Sequence, residues 1–255
     1  MLSFVATALL LRQTPLVTVT PDVPRTARER ARAEITGEIL ATARQHLARD
    51  GAAALSLRAI ARDLGMVSSA VYRYVPNRDA LLTMLIVDAY DSVGAQVEQA
   101  AAACPRSDYS GRFLATCRAL RAWAMANPHE YALIYGSPVP GYAAPEDTIA
   151  PATRVPVVLL SILFDQTDDG VAGPGRPLPP AVAASIAPFR EFAGGQASDD
   201  LLLRGLASWG TLLGTVSLEL FGHLHNVVEE DHGARAAFFD HQMQQVAIGL
   251  GLAEG

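Results

Sequence analysis

Lysine is absent from the 255-residue chain, and all 20 basic side chains are arginines. That removes phosphate-loop and Schiff-base chemistry, both of which need an amine on a flexible stem. Every basic contact must come from a guanidinium, which grips phosphate or guanine through two parallel hydrogen bonds. Cysteine is nearly absent: Cys104 and Cys117 are too few for a disulfide framework or a four-cysteine zinc site, and read as two inert thiols in a reducing cytoplasm. His223, His225, His232 and His241 cluster near the end, but residues two apart do not share a helix face, so neither a metal nor a cofactor is expected. No nucleophile elbow, glycine-rich phosphate loop or HExxH motif occurs, and the carboxylates are scattered. An enzyme is therefore the weaker reading. The period-2 alternation of strands is missing throughout, which makes the expected fold class all-α.

Long apolar runs are also short of what a bilayer requires. Residues 1–11 are apolar and followed by Arg12, whereas a signal peptide carries its positive charge ahead of the apolar run and a span needs about 20 residues. The stretch reads as part of a flexible extension, residues 1–27 with Pro15, Pro21 and Pro24, or as a start assigned too early, ahead of Val17. The uncharged run 205–218, 14 residues between Arg204 and Glu219, is likewise too short. No membrane association is expected, and the location expected is cytoplasmic.

The net charge of −6 is unevenly spread. Residues 25–79 hold ten arginines against six acids, while residues 80–255 hold nine against nineteen. A basic segment of +4 joined to a remainder of −10 suits a molecule that presents one end to a polyanion.

Within the basic segment, Leu57, Ile60, Ala61 and Leu64 fall at helical spacing on one face. Ser56 is placed to cap that helix and Gly65 to end it in the left-handed conformation. A second short helix is expected from about Ser68 to Tyr74, with Val71 and Val75 inward and Ser68, Ser69, Tyr72 and Arg73 outside. Pro76 stops it and Asn77 caps the next. Two short helices joined by a glycine turn, the second polar outside, make a helix-turn-helix. The plain alternative is a helical hairpin in a core, for which the second helix is too short and too polar.

A helix over 28–49 precedes the motif, with Ile35, Ile39, Ala43 and Leu47 in one stripe. Arg25, Arg28, Arg30 and Arg32 at its start either lie along phosphates or form a solvated face. A long helix follows at 78–102, then helices near 109–126, 128–136, 148–166 (interrupted near Pro156), 179–193, 199–226 and 233–250. The domain layout expected is an extension over 1–27, a three-helix DNA-binding domain over 28–82, and a larger helical domain for effector binding and dimerisation over 83–255.

Residues 30–85 resemble the DNA-binding domain of the TetR family of bacterial transcription regulators. The likeness is carried by Ser56-Leu-Arg-Ala-Ile-Ala-Arg-Asp-Leu-Gly65, Ala70-Val-Tyr-Arg-Tyr-Val75 and Asn77-Arg-Asp-Ala-Leu-Leu82. Asn127-Pro-His-Glu-Tyr131, Tyr135-Gly-Ser-Pro-Val-Pro-Gly-Tyr142 and the stretch from Trp209 to Leu224 are similar to the WHG-type C-terminal subgroup. The resemblance implies that Arg58 approaches a base edge, that Ser68, Ser69 and Ala70 face the groove floor, that Tyr72 and Tyr74 contact DNA, and that Arg78 meets phosphate. Two positions depart from the pattern: Val67 stands where Ser or Thr usually caps the recognition helix, and Ser68 where a basic residue is common. Capping is then expected to shift to Ser68, and base readout to fall more on Arg58 and Arg73.

The resemblance also implies a homodimer on double-stranded operator DNA, a small apolar or weakly polar effector, and more often a repressor than an activator. The run 205–218, with Gly205, Ala207, Ser208, Gly210 and Gly214, suits close helix approach, at a subunit interface in preference to a buried core. Trp123, Tyr131, Tyr135, Phe164 and Trp209 are candidates to line the effector pocket, although aromatics at helical spacing also simply fill cores. An architectural DNA-binding protein without an effector is the remaining rival.

Overall fold

The structure, a computed structural model, describes residues 26–170, 175–195 and 197–253; most of the 1–27 extension lies outside them. Every regular element described is helical: α1 Ala27–Asp50, α2 Leu57–Asp63, α3 Ser68–Val71, α4 Arg78–Ala102, α5 Tyr109–Ala126, α6 Pro128–Tyr135, α7 Ile149–Asp168, α8 Pro180–Ser185, α9 Ala187–Phe192, α10 Asp199–Leu220 and α11 His232–Leu250, with 3-10 turns at Ala52–Ala54 and Glu146–Thr148.

The chain forms two compact units. One holds residues 26–94 and 124–154, the other residues 95–123 and 155–253. In the first, Ile39, Ala43 and Leu47 of α1 meet Leu57, Ile60 and Ala61 of α2, Val71 and Val75, and Leu81, Leu82 and Leu85 of α4 in one core. Leu133, Val139 and Tyr142 pack against its edge, which explains why a segment so distant in sequence belongs here. Polar bonds hold it too. Thr83 and Tyr142 share a hydroxyl–hydroxyl bond of 2.9 Å, and the Tyr90 hydroxyl donates to the Ile134 carbonyl at 3.1 Å. The Arg44 guanidinium bridges Asp88 of α4 and, at 3.0 Å, Glu130 of α6. Burial alone would lower the Arg44 pKa, but the two carboxylates outweigh it and the net shift is upward.

The second unit has α10 and α11 as its principal pair. Arg121 of α5 holds Glu219 of α10 through two bonds of 2.7 and 2.5 Å, and its guanidinium lies 5.4 Å from the Phe239 ring of α11. Arg118 grips Asp240, and Arg106 and Arg112 share Asp165 of α7. Buried among these helices, the Cys117 thiol is pushed strongly upward in pKa, which keeps it protonated and inert.

Several expectations are corrected. α7 runs unbroken through Pro156, because Val155, Val158, Leu159, Ile162 and Leu163 are buried on both sides of it, and that burial offsets the one lost backbone bond. The single helix expected over 179–193 is two, divided at Ile186; Pro188 has no N–H to donate to the Ala184 carbonyl and instead occupies the first turn of a new helix. α10 ends at Leu220, ahead of Gly222 (φ +78°) and Asn226 (φ +60°), instead of reaching 226. Three helical stretches, Arg78–Ala102, Glu146–Asp168 and Asp199–Leu220, are long and apolar enough to cross a membrane by length and composition. For α10 that revises the reading drawn from 205–218 alone. Part of this apolar length serves the protein's own cores: Leu81, Leu82 and Leu85 of α4 lie in the core around α2 and α3.

Candidate nucleic-acid interface

The helix-turn-helix forms by the local signals the sequence carries. Ser56 Oγ accepts from the Ala59 amide at 3.4 Å, Gly65 adopts φ +65°, and Asn77 Oδ1 accepts from the Ala80 amide at 2.7 Å to start α4. A residue with a Cβ would be strained at Gly65, so the turn that aims α3 depends on glycine. One bond the sequence did not reveal fixes α2 further: the buried His46 of α1 meets Asp63 Oδ2 at 2.7 Å.

The recognition helix α3 is a single turn. Its cap position is Val67, which offers no acceptor, and the expected shift of capping to Ser68 does not occur. Val67 has extended backbone and Ser68 is already helical, so the serine hydroxyl is not at the cap. Ser69, Tyr72 and Arg73 are exposed, and Ser68, Ala70 and Tyr74 are half-buried. Val67 and Tyr72 are 71% and 42% exposed, unusual for side chains of this kind and suited to a surface that something else covers. Arg58 stands exposed near the start of α2.

Tyr74 is more tied than the sequence suggests. Arg32 of α1 lies 5.3 Å from its ring centroid and donates from Nη2 to the Arg73 carbonyl at 3.3 Å. Arg78 is also engaged within the protein: Nη2 donates to the carbonyls of Ala52 (2.9 Å) and Ala53 (3.3 Å), closing the 3-10 turn onto α4.

The pairing of arginines separates this surface from the rest. In the second unit every described arginine except Arg235 has a carboxylate within ion-pair reach. In the first unit Arg44, Arg49, Arg62, Arg78 and Arg154 have one. Arg28, Arg30, Arg32, Arg58 and Arg73 do not, and they lie at the start of α1, on α2 and beside α3. Positive charge is thus left uncompensated where the helix-turn-helix is.

Of the five aromatic candidates for an effector site, the structure brings two together. The Tyr131 and Tyr135 rings are 5.2 Å apart, and Tyr90 of α4 sits edge-on to Tyr135 at 5.9 Å. Burial, reinforced by the neighbouring Tyr90 and Tyr131, drives the Tyr135 pKa far up, and burial raises Tyr90 as well. Both phenols therefore stay neutral. Tyr90 had no signal in the sequence, being one aromatic within the stripe of a long helix. Trp123, Phe164 and Trp209 belong to the second unit, Trp123 fully buried and the other two half-buried.

Comparison with known proteins agrees with this geometry. Residues 39–85 match the family described as bacterial regulatory proteins, tetR family, and residues 113–246 match the tetracyclin repressor-like C-terminal domain. Over 201 residues the chain is 42% identical to the HTH-type transcriptional regulators Rv1816 of Mycobacterium tuberculosis and Mb1846 of Mycobacterium bovis, covering 76% of this chain and 84% of each relative. The crystal structure of the regulatory protein SCO4313 superposes with a TM-score of 0.69 at 37% identity, over 87% of this chain and 98% of that one. The TetR family transcriptional regulator PfmR from Thermus thermophilus shares the fold, with a TM-score of 0.54 at 16% identity over 82% and 96% of the two chains. The chain therefore belongs to the TetR family of bacterial transcriptional regulators, with a helix-turn-helix DNA-binding domain ahead of a tetracyclin repressor-like C-terminal domain, and is a regulator of transcription, not an enzyme.

Proposed function

We propose that the protein is a cytoplasmic, homodimeric repressor that reads a pseudo-palindromic operator and releases it when a small apolar or weakly polar molecule binds its C-terminal domain. The observation that carries the DNA half is the group of unpaired guanidiniums around an exposed, polar one-turn helix. In this reading Arg58 and Arg73 reach base edges, Ser68, Ser69 and Ala70 face the groove floor, and Tyr72 and Tyr74 contact the backbone. Arg78 supports the arrangement from behind while directing its remaining N–H groups at phosphate. A twofold dimer places its two recognition helices in successive major grooves, with half-site centres about 34–36 Å apart.

The dimer reading rests on α10. Leu206, Ala207, Gly210, Gly214 and Leu218 of α10, and Phe221 just past its end, are exposed on one side, and from Leu206 onward that side carries no charge. A Cβ added at Gly210 or Gly214 would meet open space within the protomer, so no packing inside the chain requires glycine there. Close approach of a second copy supplies the reason. The effector reading rests on the tyrosine cluster of Tyr90, Tyr131 and Tyr135. Helix α4 starts beside α3 and continues into the second unit, so a tilt of it changes the spacing of the two recognition helices. Coupling of about 1–3 kcal/mol then shifts operator affinity roughly 5- to 150-fold.

The decisive experiment is selection and sequencing of DNA bound by the purified protein. Recovery of a two-half-site motif at that spacing is expected. An unselected pool would leave an architectural DNA-binding role in its place.

A further inference from the structure

We infer that the first two turns of α1 are a second DNA-contacting element, in which Arg28 grips a backbone phosphate beside the recognition helix; this rests on the DNA-binding reading above. Residues 26–34 are exposed without exception, so no core burial holds them helical. They are helical by other means. The stretch Ala-Arg-Glu-Arg-Ala-Arg-Ala-Glu consists of strong helix formers. Thr26 and Glu29 close a capping box, with Thr26 Oγ1 accepting at 3.2 Å and Glu29 Oε2 accepting from the Thr26 amide at 2.9 Å. The box turns the Glu29 carboxylate onto the helix end and away from the neighbouring guanidiniums.

Arg32 shows where this stem points. Its contacts with the Arg73 carbonyl and the Tyr74 ring set its face of α1 against the end of the recognition helix. Arg28 lies one turn earlier on the same face, about 6 Å along the axis, and has no carboxylate partner. Arg30 is rotated to the far side and has Glu34 one turn on. One face of the stem is thus basic and adjoins α3, and the other mixes both signs. A phosphate strand lying along the flank of the recognition helix meets the first face only.

The test exploits this asymmetry. Full-length protein is titrated onto a mixed-sequence duplex of about 30 bp at several salt concentrations, since phosphate contacts are blind to sequence. Arg28→Gln and Arg30→Gln remove the same charge from the same exposed helix, and glutamine keeps helix propensity. Circular dichroism checks the helix. Arg28→Gln is expected to flatten the log–log salt slope by about 0.9, so that its affinity falls about 3.5-fold less than wild type between about 50 and 200 mM salt. Arg30→Gln is expected to track wild type. Equal flattening in both variants means that bulk charge alone acts, and overturns the assignment, as does no flattening in either. Failure of the parent reading is separately visible, because wild type would then bind the duplex without salt dependence; that result overturns this assignment too.

Discussion

Arg121 and Glu219 offer a sharp test of how the second unit is held. Their side chains are 18% and 8% exposed and joined by two short bonds, so both charges have left most of their water. Removing one partner of such a pair strands the other, at a cost of about 3–5 kcal/mol. The cost has a ceiling, since a stranded carboxylate can take up a proton. For an ordinary glutamate at pH 7 that costs about 3.7 kcal/mol, from roughly 2.7 pH units at 1.36 kcal/mol each. Arg121→Leu also forfeits the guanidinium over Phe239, worth about 0.5–1 kcal/mol. A loss of about 3.5–4.7 kcal/mol is therefore expected, about 7–19 °C in Tm for a chain of this size. The folded variant then binds a proton that the unfolded chain releases more readily, so its stability falls as pH rises, and lowering the pH from 7 towards 5 should restore part of the loss. Arg121→Leu/Glu219→Leu removes both charges and should lie within about 1 kcal/mol of wild type. Urea unfolding at one fixed protein concentration measures all three, because a dimer's stability depends on concentration. If the double variant is as unstable as the single, the pair contributes net stability and the stranded-charge account is wrong.

Arg58→Ala should relax base preference at one operator position and cost about 1–3 kcal/mol there; equal loss on operator and random DNA would exclude a base contact. Arg78→Ala should lower the salt slope by about 0.9 and also lose about 1 kcal/mol of stability, because its Nη2 holds the Ala52 and Ala53 carbonyls; a slope change with no change in urea midpoint would show that those bonds contribute nothing. Gly214→Arg should leave the protomer folded, since a Cβ there meets open space, and should yield monomers by sedimentation; an unchanged dimer would move the interface elsewhere. Arg190, bonded to Asp199 at 2.6 Å, holds that carboxyl below its ordinary 3.8. The stability this brings is full above that value and lost as pH falls through the lowered one. In Arg190→Gln, an NMR titration of Asp199 should return to the ordinary range.

What could be read from the sequence was what local chemistry determines. Ser56, Gly65 and Asn77 each act on backbone within a few residues, and each acts as its type and place imply. The core stripe of α1 was legible for the same reason, because a 3.6-residue period needs no knowledge of the partner. Contacts distant along the chain were not. Arg44 finds Asp88 and Glu130 across separations of 44 and 86 residues, and nothing in either carboxylate's neighbourhood marks it as a partner. Tyr90 joins Tyr131 and Tyr135 for equally non-local reasons. Proline was misjudged in both directions. Pro156 removes one helical bond where burial on either side carries α7 through, while Pro188 divides a segment with almost nothing buried to hold it together. The rule for proline is local, but what it competes with is not.

The charge of the chain shows the same distinction. A net −6 argues against a polyanion partner only if charges act as a sum. At physiological ionic strength interactions between exposed charges fade over about 8 Å, so what a phosphate meets is the nearest few side chains. Arg235 apart, the other described arginines have a carboxylate within ion-pair reach and present little field of their own. The five in the first unit that lack such partners keep their full charge and most of their donors. Composition therefore understates this surface, and even the +4 of residues 25–79 is an incomplete guide, because it counts Arg44 and Arg49 alongside Arg28 and Arg58. It is the unpaired subset, on α1, on α2 and just past α3, that sets where a duplex is attracted and which face of the first unit it meets.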